Sequence, residues 1–213
     1  GNNATVLTGQ AGQWTEGPEG STSNLKALWA SQPDEIWAVG ESGTILRWDG
    51  IAWRQVASPA KNDSTRLQDI FGLASNDLWA VGYEFDAKRG VVLRYDGVAW
   101  RWDPAAANAA PLANVVLNSV WGRSSADLWV AGQLQDPASS ARGVILRRVQ
   151  ESWSLDPRTN SLDLAQVDMR GVWGLDDQQV AIGNRWTSSE VQSEVYERTF
   201  PGTWQLVKKL PGA

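Results

Sequence analysis

The stretch SNDLWAVG at residues 75–82 decides the fold, because close copies of it occur at 33–40 (PDEIWAVG) and 125–132 (SADLWVAG). Each copy ends a longer block, and four such blocks align: LKALWASQPDEIWAVG (25–40), LQDIFGLASNDLWAVG (67–82), LNSVWGRSSADLWVAG (117–132) and MRGVWGLDDQQVAIG (169–183). A second block follows each of them: ILRWDGIAW (45–53), VLRYDGVAW (92–100), ILRRVQESW (145–153) and VYERTFPGTW (195–204). A period of roughly 40 to 55 residues indicates stacked structural units.

Each repeat contains four short segments of strand composition. They are rich in apolar, β-branched and aromatic residues and are bounded by Gly, Asp, Asn, Ser and Pro. Between the third and fourth segments stand Asp49-Gly50 and Asp96-Gly97, which predict two-residue hairpin turns with positive φ. No stretch between the blocks has the length and period of a helix. The chain is therefore predicted to be all-β.

Four-stranded units repeating at this spacing are the blades of a β-propeller. Apolar segments such as LWAVG suit inner strands packed on both faces, whereas alternating segments such as LRWDG suit outer strands. We expect a single domain over 1–213 with four complete blades, at about 25–57, 67–103, 117–156 and 169–210. The stretch TVLTGQAGQWTEGPE (5–19) matches only the last two strands of a blade and predicts an N-terminal half blade.

Four complete blades and a half blade do not close a ring by themselves. Propellers commonly close by completing one blade from both chain ends. We therefore expect this chain to be part of a larger propeller, completed by further sequence or by a partner chain. A closed four-bladed ring is the alternative.

The composition excludes several kinds of site. The 213 residues include no His and no Cys, which removes Ser-His-Asp and Cys-His catalysis and the commonest ligands of transition metals. We predict no catalytic residue, no cofactor, no metal site and no enzymatic activity. The net charge of -5, without a concentration of Lys and Arg, argues against nucleic acid as a partner. No apolar run is long enough to span a membrane, and the N-terminal residues lack a secretory signal.

The pattern VWG…DLWAVG…G.ILRWDG.AW, over about residues 5–210, resembles the Trp-rich bacterial β-propellers related to BNR/Asp-box repeats, a group that includes photosystem II assembly-factor-like propellers. In that family the Asp-box, Ser-x-Asp-x-Gly-x-Thr-Trp, is a structural turn on the face away from active sites. WDGIAW and YDGVAW keep its Asp, Gly and Trp but lack the Ser, and VQES in the third repeat has no Asp. The resemblance implies a propeller fold and an extracellular or periplasmic location. Similarity to Trp-lined propeller lectins is carried by composition and blade plan alone.

Several residue types recur once per repeat. Most of the 14 Trp residues do so, and we expect them to pack between blades. An Arg recurs on the third strand and is expected at equivalent places round the rim, where the copies cannot converge on one carboxylate: Arg47, Arg94 and Arg147. An Asp precedes the second-strand Trp and is expected to hold a tight turn by side-chain to backbone hydrogen bonds: Asp34, Asp77 and Asp127.

The loops between second and third strands differ in length and sequence: ESGT (41–44), YEFDAKRG (83–90), QLQDPASSARG (133–143) and NRWTSSEVQS (184–193). We expect them on the same face as the blade-to-blade crossovers, and loops of this kind are where recognition is usually built. Trp186 beside Arg185 offers an aromatic ring face and a guanidinium with several hydrogen-bond donors, which could bind a sugar or an acidic group. Solvated charged loops are the alternative. The candidate ligand residues are Glu84, Asp86, Arg89, Asp136, Arg142, Arg185, Trp186 and Glu190.

For function, the sequence favours a non-catalytic recognition or scaffold propeller that binds a protein partner through its loop face. A lectin-like propeller that binds a glycan is the alternative. A carboxylate-based glycoside hydrolase of sialidase-like fold is the third hypothesis. It needs two carboxyl groups about 5 to 10 Å apart, and no spacing in the sequence nominates such a pair.

Overall fold

The computed structural model describes residues 7–10, 13–16, 23–107, 109–135, 141–199 and 201–211. The described strands form four sheets of four strands each and one two-stranded sheet. Each four-stranded sheet uses one repeat of the sequence, and its strands pair antiparallel in chain order. The predicted all-β architecture of four-stranded blades preceded by a half blade is confirmed.

The half blade is the hairpin of β1 (Leu7–Gln10) and β2 (Gln13–Glu16). Blade 1 contains β3 (Leu25–Gln32), β4 (Glu35–Gly40), β5 (Ile45–Trp48) and β6 (Trp53–Gln55). Blade 2 contains β7 (Thr65–Ala74), β8 (Asp77–Glu84), β9 (Arg89–Tyr95) and β10 (Trp100–Trp102). Blade 3 contains β11 (Val115–Ser124), β12 (Asp127–Leu134), β13 (Arg142–Val149) and β14 (Ser152–Leu155). Blade 4 contains β15 (Val167–Leu175), β16 (Gln178–Trp186), β17 (Val191–Thr199) and β18 (Gln205–Leu210).

The turn between the third and fourth strands of blade 1 is centred one residue later than predicted. Trp48 pairs with Trp53, so the turn spans residues 49–52, and its positive φ is confined to Gly50, at 86°. The Asp49 carboxylate accepts hydrogen bonds of 3.0 and 2.8 Å from the backbone N–H groups two and three residues along the chain. Blade 2 has the same geometry. The hairpins are confirmed, but Asp49 and Asp96 precede the two central residues instead of being the first of them, since their N–H groups donate to Ala52 O and Ala99 O, both at 3.4 Å.

The core lies between neighbouring blades. The second-strand residues Trp37, Trp79 and Trp129 are fully buried. Each packs in an apolar cluster with residues of the following blade. The Trp residues that open the fourth strands are also buried: Trp53, Trp100, Trp153 and Trp204. Packing between blades is therefore confirmed for these repeated Trp residues except Trp53, whose apolar cluster consists of blade 1 residues. Each Trp buries on the order of 200 Å².

An ion pair joins the second and third strands and recurs between blades. In blade 2, Arg94 Nε donates to Asp77 (3.1 Å), and the guanidinium lies 5.2 Å from the Trp79 ring centre. Asp77 lies on the same strand face as Trp79, whose cross-strand neighbour is Arg94. The prediction that this aspartate holds a turn through backbone N–H groups is therefore wrong. Equivalent groups are Glu35–Arg47 over Trp37 and Asp127–Arg147 over Trp129.

Crossovers join each fourth strand to the next first strand, over residues 56–64, 103–114 and 156–166. The described helical residues are α1 (Pro104–Ala107) and short 3-10 turns at Ala110–Leu112 and Pro157–Thr159. Two crossovers begin with a buried aspartate that accepts a hydrogen bond from the Trp opening the next blade's fourth strand. The pairs are Asp103 with Trp153 (2.6 Å) and Asp156 with Trp204 (3.1 Å).

Candidate functional site

The loops after the second strands share one face of the blades with the crossovers, as predicted. The same backbone hydrogen bond joins loop to crossover in three blades: Phe85 N–H to Ser64 O (2.9 Å), Gln135 N–H to Asn114 O (2.7 Å) and Trp186 N–H to Gln166 O (2.9 Å). We call this surface the loop face. Its described residues are 41–44, 56–64, 85–88, 103–107, 109–114, 135, 141, 156–166 and 187–190, together with the strand ends that adjoin them.

The ends of two crossovers have left-handed backbone and are hydrogen-bonded to the neighbouring loops. Asn114 and Gln166 have positive φ, 56° and 59°. The N–H of Asn114 donates to Lys88 O and that of Gln166 to Ala141 O, both at 2.7 Å. Left-handed backbone at non-glycine residues persists only where the surroundings determine it. The backbone at Lys88 and Ala141 is therefore fixed to the crossovers, and a fixed backbone lowers the entropy cost of binding a partner.

Four side chains of blades 1 and 2 form a row on the loop face, which we call the Arg66 patch: Lys26, Glu41, Arg66 and Phe85. Lys26 Nζ lies 3.1 Å from Glu41 Oε1, and Arg66 Nε lies 4.0 Å from the same oxygen. The Arg66 guanidinium lies 4.7 Å from the centre of the Phe85 ring. The hydrogen bond from Lys26 lowers the pKa of Glu41. The patch thus combines two cations, one carboxylate and an exposed aromatic ring.

Sequence reasoning missed the Arg66 patch. Phe85 has a visible signal, because it is an aromatic residue within the variable loop YEFDAKRG and has no equivalent in the repeat phrase. Glu41 and Arg66 have no such signal. They come from different blades, and an isolated backbone bridge between Glu41 and Arg66 brings them together.

Three predicted ligand residues flank Phe85 in the blade 2 loop. Glu84 accepts hydrogen bonds from Arg89 Nε (2.9 Å) and from Asn62 Nδ2 (3.2 Å) of the crossover. The Arg89 guanidinium lies 4.6 Å from the Trp102 ring centre. Asp86 is exposed in the turn. Glu84 and Arg89 are therefore held by protein partners, whereas Asp86 faces solvent.

Arg185 and Trp186 point to opposite faces of blade 4, because successive strand residues alternate. Arg185 Nε donates to Glu194 (2.8 Å), and its terminal nitrogens donate to the backbone oxygens of Ala165 (2.7 Å) and Asp163 (2.6 Å). Trp186 is 53% exposed on the other side of the strand. The expectation that these two residues form one aromatic and guanidinium site is therefore wrong.

The remaining predicted residues are spread over blades 3 and 4. Arg142 is exposed at the start of β13, where its backbone bridges to Ala165 of the crossover. Glu190 is exposed in the blade 4 loop and accepts a hydrogen bond from Gln192 (2.6 Å). Asp136 lies outside the described residues. The structure brings Glu84, Asp86 and Arg89 together and leaves the other described residues at separate places on the loop face.

A cleft of about 390 Å³ lies beside Arg185, lined by Asp163, Arg185, Tyr196, Trp204 and Lys209 among others. The fully buried Glu194 accepts hydrogen bonds from Arg185 and from the Tyr196 hydroxyl, and lies 3.2 Å from Lys209 Nζ. Although burial alone would raise the pKa of Glu194, these hydrogen bonds lower it. Burial, together with Glu194, raises the pKa of Tyr196. The charges around the cleft are thus paired with one another.

Several of these carboxylates are partners of cations, namely Glu41, Glu84 and Glu194, whereas Asp86 and Glu190 are exposed. Within the described residues, no group of three or more Asp or Glu side chains is placed to hold a metal ion. In the same part of the chain, no helix is long and apolar enough to cross a membrane.

No protein-family model matches the chain, and no curated protein matches it. Several solved structures are similar to the chain. YCF48 bound to D1 peptide is 14% identical, with a TM-score of 0.51, over 89% of this chain and 69% of that chain. The SapL1 lectin in complex with alpha methyl fucoside is 13% identical, with a TM-score of 0.57, over 98% of this chain and 74% of that chain. An exo-beta-1,3-galactanase from Phanerochaete chrysosporium with beta-1,3-galactotriose is 14% identical, with a TM-score of 0.55, over 95% of this chain and 56% of that chain.

Together with the four blades, these likenesses show that the chain has the β-propeller fold. The similar structures comprise a peptide-bound protein, a lectin and a glycoside hydrolase. One fold therefore supports protein binding, carbohydrate binding and catalysis, and function has to be argued from the residues of the site.

Proposed function

We propose that the protein is a non-catalytic recognition propeller that binds a segment of a protein partner through its loop face, centred on the Arg66 patch. The observation that carries the proposal is the stacked pair of Arg66 and Phe85 on backbone that the crossover hydrogen bonds hold in place. The Phe85 residue is 42% exposed and the Arg66 side chain 52% exposed. Both are therefore accessible to a partner.

The chemistry of the patch favours a segment that carries an acidic and an apolar side chain close together. Exposed aromatic and Arg residues are enriched among the residues that dominate protein interfaces. Arg66 contacts Glu41 only at 4.0 Å, so its guanidinium keeps donors for a carboxylate of the partner. The adjacent Phe85 ring offers apolar area for the neighbouring side chain of the same segment.

Recognition is proposed in preference to catalysis because Glu41 of the Arg66 patch and the neighbouring Glu84 act as ion-pair partners. Glu41 is paired with Lys26, and Glu84 with Arg89. A chain without His would need two carboxyl groups free for acid and base roles to hydrolyse a glycoside. Pairing with cations leaves these two suited to holding the loops.

We also propose that the chain belongs to the exported, Trp-rich propellers related to BNR/Asp-box repeats. What supports this is the role of Asp49 and Asp96, whose carboxylates accept backbone N–H groups within the turn between third and fourth strands. That is the structural role that the resemblance implies for the Asp of the box.

The proposal is tested by selecting a displayed library of random linear peptides on the full chain. The enriched peptides are then titrated against Phe85→Ser and against Val98→Ser, a matched control at an exposed turn on the opposite face. We expect peptides with an acidic residue beside an apolar one. Their affinity should fall about tenfold or more in Phe85→Ser, as for truncation of an interface anchor, and should not change in Val98→Ser.

A glycan array probed in parallel separates the alternatives. Peptides that bind both variants equally well would contradict the proposed site. A glycan signal that is lost in Phe85→Ser, without any peptide enrichment, would replace the protein partner by a carbohydrate and contradict the proposal as a whole.

A further inference from the structure

The face that each blade turns to the following blade, here called its second face, uses the same four positions in blades 1 to 3. A first-strand aromatic residue pairs across with the second-strand Trp, and a second-strand aliphatic residue pairs with a third-strand aliphatic residue. These side chains pack against the following blade. The sets are Trp29, Trp37, Val39 and Ile45; Phe71, Trp79, Val81 and Val92; and Trp121, Trp129, Ala131 and Ile145.

Blade 4 repeats the pattern on a face that is open to solvent. Trp173 pairs with Val180, and Ile182 with Val195. Trp173 is 58% exposed and Ile182 is 49% exposed, whereas Trp121, at the position of Trp173, is 7% exposed. A cleft of about 330 Å³ lies against Trp173, Val180 and Ile182. The second face of blade 4 thus has the composition of a blade interface without its burial.

Two of the three blades that receive such a face, blades 2 and 4, share a feature on their first strands. A Cβ added to Gly72 would lie 2.4 Å from the Trp29 ring, and one added to Gly174 would lie 2.5 Å from the Trp121 ring. Only glycine therefore lets the aromatic ring of the preceding blade approach this closely. Where the first-strand aromatic residue is Trp, the second face of a blade therefore requires a glycine on the first strand of the following blade.

We propose that the second face of blade 4 is a docking surface for a further four-stranded sheet of blade type. The occupant carries a glycine on its first strand to receive Trp173 and aliphatic residues on its inner strands against Ile182 and Val195. Continuity with the established interfaces supports this choice. The residues equivalent to Trp173 in blades 1 to 3 are Trp29, Phe71 and Trp121, and each of them packs against the four-stranded sheet of the following blade. Trp186, at the loop end of the same face, would be covered as well.

The experiment uses the absence of Cys from the chain, which makes a single introduced cysteine a unique label. Ile182→Cys reports on the second face, and Val98→Cys, at a turn away from it, is the matched control. The full chain is extended after residue 211 by a second copy of residues 56–103, which supplies a crossover and a blade with Gly72. Thiol labelling rates are then compared between the extended and the unextended chain.

We expect the extension to slow labelling of Ile182→Cys about tenfold or more, since reaction then requires local opening of a packed interface. Val98→Cys should label equally in both chains. Replacing Gly72 by Leu in the added copy alone should restore fast labelling of Ile182→Cys. Because an added copy can fail to fold, a second extension uses residues 156–211, whose first strand carries Gly174.

Fast labelling of Ile182→Cys in both extended chains would overturn the proposal. Protection in the unextended chain that grows with protein concentration would also overturn it, because the occupant would then be a second copy of this chain.

Discussion

Trp79 and Phe85 are six residues apart in blade 2. Trp79 lies on β8 and is buried between blades 2 and 3, whereas Phe85 follows β8 and lies on the loop face. Trp79 has Trp37 and Trp129 as equivalents, and all three are fully buried. Phe85 donates the same backbone hydrogen bond as Gln135 and Trp186, yet the side chain differs at each of these positions. The comparison teaches that a side chain repeated from blade to blade indicates packing between blades. Positions that keep the same backbone hydrogen bond but vary in side chain are the ones available for recognition of a partner.

The largest expected effect comes from removing a repeated Trp inside the propeller. Trp129→Ala should lower the free energy of unfolding by about 3 to 5 kcal/mol, because it leaves a cavity between blades 3 and 4. Trp173→Ala, on the open second face of blade 4, is the control and should cost less than about 1 kcal/mol. Denaturant unfolding measures both. Equal losses would contradict the distinction between packed and open faces.

A smaller effect is expected where a glycine receives the neighbouring ring. Gly72→Ala should lower the free energy of unfolding by about 1 to 3 kcal/mol, because its Cβ would overlap the Trp29 ring. The cost should shrink in a Trp29→Ala background, which removes the ring. An unchanged cost in the double-mutant cycle would show that the loss has another origin.

The turn aspartates should give a small, pH-dependent effect. Hydrogen bonds from Arg54 and from the backbone lower the pKa of Asp49 to about 2, and backbone hydrogen bonds and Arg101 lower that of Asp96 to about 2. Because the folded pKa lies below the unfolded value of about 4, this stability is complete above pH 4 and is lost as the pH falls through about 2.

The matched variant for this prediction is the Asp49→Asn/Asp96→Asn double substitution. Its free energy of unfolding, followed by denaturant titration across the acid range, should lose less on acidification than that of the unchanged chain. An identical acid dependence of the two proteins would contradict the proposed role of the turn carboxylates.

The sequence predicts the blades well because the same residues recur at one strand register, and burial of Trp37, Trp79 and Trp129 needs only that register. The exact position of the turn is less predictable. Asp49-Gly50 predicts two central residues with positive φ, but only Gly50 has positive φ, and the carboxylate of Asp49 accepts N–H groups from the residues that follow.

The candidate site is harder to predict because its residues come together through strand pairing within blade 2 and through the stacking of blades 1 and 2. Glu41, Arg66 and Phe85 are distant in sequence, and neither charge belongs to the repeat phrase. Arg185 and Trp186 illustrate the opposite error. They are adjacent in sequence, but strand alternation turns them to opposite faces. Arg94 recurs because it pairs with Asp77 over Trp79, which explains a repeated charge without any ligand.

One pair of variants tests the central claim most directly: the free energy of unfolding and the affinity for a selected peptide, each measured on Trp79→Phe and Phe85→Ser. We expect Trp79→Phe to lose about 1 to 3 kcal/mol of stability and to keep its peptide affinity at temperatures where it is folded. Phe85→Ser should keep its stability within about 0.5 kcal/mol and lose the peptide. A Phe85→Ser variant that binds the peptide as the unchanged chain does would contradict the assignment of recognition to the loop face.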